Sequence, residues 1–165
     1  MVTWFRLARI GLAAAVISSS IPAQGRTAEL RSRFSQEPDP VHKARLMGPL
    51  SDSEFHDIQG LVAEGNLADA SPIASQLADE AESTVKGLDA KGRDPEKHPE
   101  GYKQAEISVR ASLRRINDML VGLSGDDQKP FLEVRNRLEA VEKHLIRELF
   151  PHRPDASPGP AAPKS

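Results

Sequence analysis

Phe131, Val134, Leu138, Val141, Leu145 and Leu149 follow one another at intervals of three or four residues, up to the break at Pro151. A helix of 3.6 residues per turn brings such positions onto one side. The same spacing runs through Tyr102, Ala105, Val109, Leu113, Ile116, Leu120 and Leu123. It recurs in Leu67, Ala70, Ala74, Leu77, Ala81, Val85 and Leu88, and in Phe55, Ile58, Leu61 and Val62. No segment alternates apolar and polar residues with the period of two that a strand needs. A chain of this pattern must bury helical stripes against one another. The expected fold is all-α: an antiparallel bundle of about four main helices plus a short N-terminal helix, over residues 39–150.

Local signals set the expected ends. Asp39 and Pro40 have N-cap and first-turn chemistry, and Gly48-Pro49 predicts an early stop, which makes a short first helix. Ser51 and Glu54 have capping-box spacing for a second start. Gly65 and Gly92 suit left-handed helix ends, while Ser71-Pro72 moves the start of the next helix toward residue 72. Gly125 and Asp126 or Asp127 punctuate before the last helix, whose acid-before-base pairs Glu133–Arg137 and Glu139–Lys143 suit a solvated face. Residues 26–38 show no sustained period and read as a flexible leader. Residues 151–165, with five prolines, read as a disordered tail.

The first 25 residues have the layout of an export signal. Arg6 and Arg9 precede the apolar run IGLAAAVISSSI, and Ala23 and Gly25 offer small residues for cleavage. The run is shorter than the roughly 20 residues that span a bilayer. The expectation is an exported protein, periplasmic or secreted, with no membrane span in the mature chain. Loss of Arg6 and Arg9 takes the formal charge from −2 to −4. A weakly acidic chain is poorly suited to nucleic acid. There is no cysteine, so disulfides, thiolate metal sites, thiol nucleophiles and c-type haem attachment are excluded.

Catalytic motifs are not expected. GLSGD at 122–126 lacks the spacing of a nucleophile elbow, and no glycine cluster follows a strand. The histidines give the remaining leads. His144 and Glu148 share a helix face at i,i+4 and could supply two ligands to a transition metal, with His98 or His152 as a third. Asp52 and His56 share another face. Met47 and His144 have the residue types of b-type haem ligands. An exposed ionic or hydrogen-bonded pair is the simpler use of each, and no cofactor is expected. Arg110, Arg114 and Arg115 form a basic patch on the third long helix, which Glu106 and Asp118 partly neutralise.

The segment KGRDPEKHPEGYKQAE at 91–106 concentrates charge around His98 and Tyr102. It reads as an interhelical joint: Asp94-Pro95 starts one turn, Pro99 ends it, and Tyr102 anchors the next helix. It is longer than a plain turn requires, so His98 and Tyr102, with Arg110 and Arg114, are the candidate partner-binding residues.

DPVHKARL, EGNLADA, GRDPEKHPEGYKQAEISVRASLRRINDM and PFLEVRNRLEAVEKHLIRELFP together resemble a group of small exported bacterial helical proteins of unassigned function, over residues 39–152. The resemblance implies an all-helical exported domain and brings no catalytic residue. The expected function is a non-catalytic binding or structural module in the cell envelope, with a protein partner or self-association. The alternative is a metal- or cofactor-binding bundle that uses histidines.

Overall fold

A computed structural model of the protein describes residues 23–151, with side-chain surroundings from Gly25 onward. Five helices run in order: α1 Ala23–Gln36, α2 Pro40–Ala63, α3 Leu67–Ala90, α4 Glu100–Gly122 and α5 Lys129–Leu149. A short 3-10 turn, Gly125–Gln128, leads into α5. The described residues contain no strand. The fold is the expected all-α bundle of four main helices plus a short N-terminal one, but the short helix is not the one the local signals point to.

That difference has two parts. Residues 26–36 are helical, so the leader expected there is incorrect, and the packed unit begins before residue 39. Thr27, Leu30, Arg31 and Phe34 share a face, and Thr27 and Phe34 are buried. Two of these four positions are polar, which hides the period from a reading of apolar residues alone. Conversely, Gly48-Pro49 does not stop α2, and Pro49 lies inside it. The buried stripe Ala44, Met47, Leu50, Phe55, Ile58 continues across the break. Interior proline costs about 3 kcal/mol, less than the apolar burial that an unbroken helix secures. Pro49 itself is exposed. The capping box is therefore absent: Ser51 donates to the Met47 carbonyl in mid-helix, and Glu54 is fully buried. In α3, Pro72 is likewise interior, and the helix starts at Leu67.

The expected left-handed glycines are present, with φ of 76° at Gly65 and 59° at Gly92. The joint also forms as expected. The Glu96 N–H donates to Asp94 Oδ1 at 3.0 Å and the His98 N–H to the Asp94 carbonyl at 2.9 Å, before Pro99 leads into α4.

α2, α3, α5 and α4 surround one core in that cyclic order, with α1 on the outside of α2. Phe131, Leu50, Ile58, Ile116, Leu138 and Leu145 are its largest fully buried apolar side chains. Charged contacts report the directions. α1 is antiparallel to α2, since Thr27 meets Asp57 while Arg31 meets Glu54. α5 is parallel to α3, since Arg137 meets Glu82 while His144 meets Asp89. Arg137 thus reaches α3 instead of pairing with Glu133 along its own helix, and the i,i+4 pair on α5 is Arg135–Glu139 at 3.4 Å. One end of the bundle consequently gathers the start of α2, the end of α3, the joint, the start of α4 and the end of α5. No described helix is long and apolar enough to cross a membrane. The apolar run before residue 23 and the tail after Pro151 lie outside the described residues.

Candidate functional site

Two polar clusters form, and sequence reasoning located only one. The first lies at the gathered end. Tyr102 faces inward from the first turn of α4 and is buried. Its O–H donates to Asp89 Oδ1 at 3.1 Å, and His144 Nε2 lies 2.9 Å from Asp89 Oδ2. The two oxygens of one carboxyl group thus engage both side chains, which ties α3, α4 and α5 together. Burial, and then the bond to Asp89 and the negative charges of Asp89 and Glu148, push the Tyr102 phenol up to about 12. It remains a neutral donor across the physiological range.

This arrangement redistributes the candidates. His144 pairs with Asp89 rather than forming a ligand pair with Glu148, and no group of three or more His, Asp or Glu side chains suited to a metal gathers among the described residues. Met47 lines a separate space between α2, α3, α4 and α5, away from His144. Arg110 pairs with Glu106 and lies 3.6 Å from Glu142 of α5. Arg115 pairs with Asp52 of α2 at 2.6 Å and stands over the Phe55 ring, so Asp52 does not act with His56. His98 and Arg114 are exposed. Arg114 lies about 20 Å along α4 from the end that adjoins His98, so the two cannot serve one small site.

Beside Tyr102 a cavity of about 20 Å³ is lined by Leu88, Arg93, His98, Glu100 and Gly101. That is room for one water and not for a substrate. Its floor is tight, since a Cβ on Gly101 would stand 2.5 Å from Leu88 Cδ2. Truncating the anchor tests its role. Tyr102→Ala is expected to cost about 3–5 kcal/mol, and His98→Ala to stay within about 0.5 kcal/mol. Urea titration measures both, and equal losses would contradict the assignment of Tyr102 as the anchor.

On the same side of the molecule, an open groove of about 460 Å³ separates the end of α1 from the start of α2. Arg33, Gln36, Glu37, His42, Arg45 and Leu46 line it. Asp39 at its edge pairs with Lys91 of the joint, so groove and joint are adjacent.

The second cluster is internal. Glu54 of α2 has no exposed surface, and Arg31 of α1 donates to its Oε1 at 2.7 Å. The same guanidinium reaches α3, where Glu80 Oε1 is 3.8 Å from Arg31 Nε, so Arg31 stands against both carboxyls. Gln76 donates to Glu80 at 3.2 Å. Burial dominates the electrostatics. It raises the Glu54 carboxyl, and together with the neighbouring Glu54 charge it pushes Glu80 up to about 8. Two buried carboxyls beside one guanidinium cannot both ionise cheaply, which is why both are raised. Glu54 Oε2 is buried and has no hydrogen-bond partner. Glu80 also borders a cavity of about 10 Å³ with Met47, Ser51, Val109, Ser112 and Leu138.

Sequence reasoning missed this cluster because Glu54 fitted a cap and Arg31 fell in the supposed leader. One signal was available: Glu54 lies i+7 from Met47 and i−4 from Ile58, on the core stripe of an unbroken helix. Comparison of the chain with protein-family models, with curated proteins and with solved structures finds no match.

Proposed function

We propose that this chain is a non-catalytic helical module of the cell envelope that binds a protein partner through the end of the bundle formed by the joint and the adjoining groove. The observation that carries this reading is the contrast between the two sets of polar side chains. Tyr102, His144, Arg110 and Arg115 are engaged in contacts between helices or along one, where they hold the bundle together. Arg33, His42, Arg45, Arg93 and His98 instead stand exposed around an open groove and the joint. Exposed arginine beside apolar Leu46 suits a protein surface with acidic residues. Export follows from the signal layout of the first 25 residues and from the likeness of residues 39–152 to small exported helical proteins.

Cell fractionation followed by cross-linking and capture with the tagged full chain tests the proposal. The protein is expected in the envelope or medium with a reproducible partner or a second copy of itself. Arg33→Glu with Arg45→Glu should reduce retention at least tenfold without loss of fold. A chain that stays in the cytoplasm, or stays monomeric and retains nothing, would count against it.

A further inference from the structure

α1 is the most weakly held helix of the bundle. From Gly25 onward it buries Thr27 and Phe34, with Leu30 and Arg31 partly covered, and a three-residue link, Glu37–Asp39, joins it to α2. A helix of this length does not persist alone in water, so α1 remains folded only while its contacts hold. Its polar contacts all fall on one patch. Thr27 hydrogen-bonds with Ser53 at 2.6 Å and Asp57 at 2.7 Å, and Arg31 reaches Glu54 and Glu80.

The charge balance of that patch depends on one proton. With the proton on the Glu54–Glu80 pair, one carboxylate faces one guanidinium, and the bound proton supplies a donor that the otherwise unpartnered Glu54 Oε2 lacks. Without it, two carboxylates face a single Arg31, and Asp57 adds a third negative charge beside them. Gln76 on α3 contributes only a neutral amide. From α4 and α5, the space beside Glu80 receives Val109, Ser112 and Leu138, none of them charged. The α5 guanidinium that does reach α3, Arg137, is engaged by Asp79 and Glu82, so water is what can relieve the added charge. The cover that can lift to admit water is α1.

We propose that α1 is a proton-gated clasp, closed over the Glu54–Glu80 pair while that pair shares a proton and lifted from α2 and α3 when the proton is lost. Because Arg33 and Gln36 of α1 form one side of the open groove, lifting α1 dismantles the groove as well. The direction follows from linkage. The closed state holds its proton up to about pH 8, whereas a hydrated glutamate releases it near its ordinary value of 4.5. Closure is therefore tightest in acid and weakens as pH rises through that interval.

Hydrogen exchange of the full chain, read by mass spectrometry and corrected for the intrinsic pH dependence of exchange, tests the clasp. Protection of α1 amides is expected to fall roughly tenfold per pH unit from about 5 to about 8 and then level off, and to lie well below that of α4 and α5 at every pH, because those helices open only with the whole bundle. In Glu80→Gln, α1 protection should be flat across the range. An α1 that opens only with the whole bundle would instead show the same protection as α4 and α5 at every pH, and that result overturns the proposal, as does an unchanged slope in Glu80→Gln. If Glu80→Gln fails to fold, carboxyl NMR titration of the native chain decides. A Glu80 midpoint near its ordinary value while α1 is protected rules the clasp out, and a midpoint near 8 accompanied by loss of α1 contacts upholds it.

Discussion

Between about pH 5 and about pH 8 the protein is expected to lose roughly 1.4 kcal/mol of unfolding free energy for each pH unit. Glu80 is the cause. Its carboxyl is pushed up to about 8 in the folded chain and returns toward 4.5 when the chain unfolds. In the interval the folded state binds a proton that the unfolded state releases, so stability falls as pH rises. The contribution is complete below 4.5 and is lost once pH passes about 8. Glu54 is raised as well and acts in the same direction. Asp39 and Asp94 are lowered, by Lys91 and by the Glu96 amide respectively, and their effect of opposite sign is confined to more acid conditions below 3.8. Urea titrations at a series of pH values measure the slope. Glu80→Gln should remove most of it and make the protein more stable than the native chain at about pH 8. A native profile that is flat over this range would refute the assignment of a shared proton.

Arg31→Ala is expected to destabilise the chain by about 3–5 kcal/mol, because it leaves the buried carboxyl pair without its cation. For a unit of this size that is a fall in Tm on the order of 10 °C. Removing the whole polar cluster should behave differently. The triple change Arg31→Met, Glu54→Leu, Glu80→Leu deletes the charges together with their desolvation cost, and is expected to be neutral or stabilising by about 1–4 kcal/mol. Thermal unfolding of the two variants separates the cases. Equal losses in both would mean that α1 is held by shape and apolar contact, with Arg31 acting through its stem.

The stripes on α3, α4 and α5 were legible in the sequence because each consists almost wholly of apolar residues at helical spacing. The joint was legible for a related reason. Asp94-Pro95, Pro99 and Gly92 act through their own backbone preferences, which do not wait for tertiary contacts. α1 and the unbroken α2 were not legible. In α1 the buried face is half polar. In α2 a Gly-Pro pair that would end an isolated helix is overridden by burial of Met47, Leu50, Phe55 and Ile58 on one continuous face.

The candidate site divides along the same line. Tyr102 as an anchor followed from its place at the head of an apolar stripe. Its partner Asp89 and the recruitment of His144 did not, since 13 and 55 residues separate those contacts along the chain. Arg31, Glu54 and Glu80 have no local pattern in common.

By itself the sequence determined the class of fold, the number of main helices, the chemistry of the joint and the absence of cysteine chemistry, because these depend on spacing and on residue type. Only the tertiary structure decided which helices exist at the N-terminal end, which polar residues are buried, and that two glutamates from different helices lie against one arginine. Those outcomes depend on desolvation and on contacts between distant segments. Neither is a property of a residue until the helices have packed.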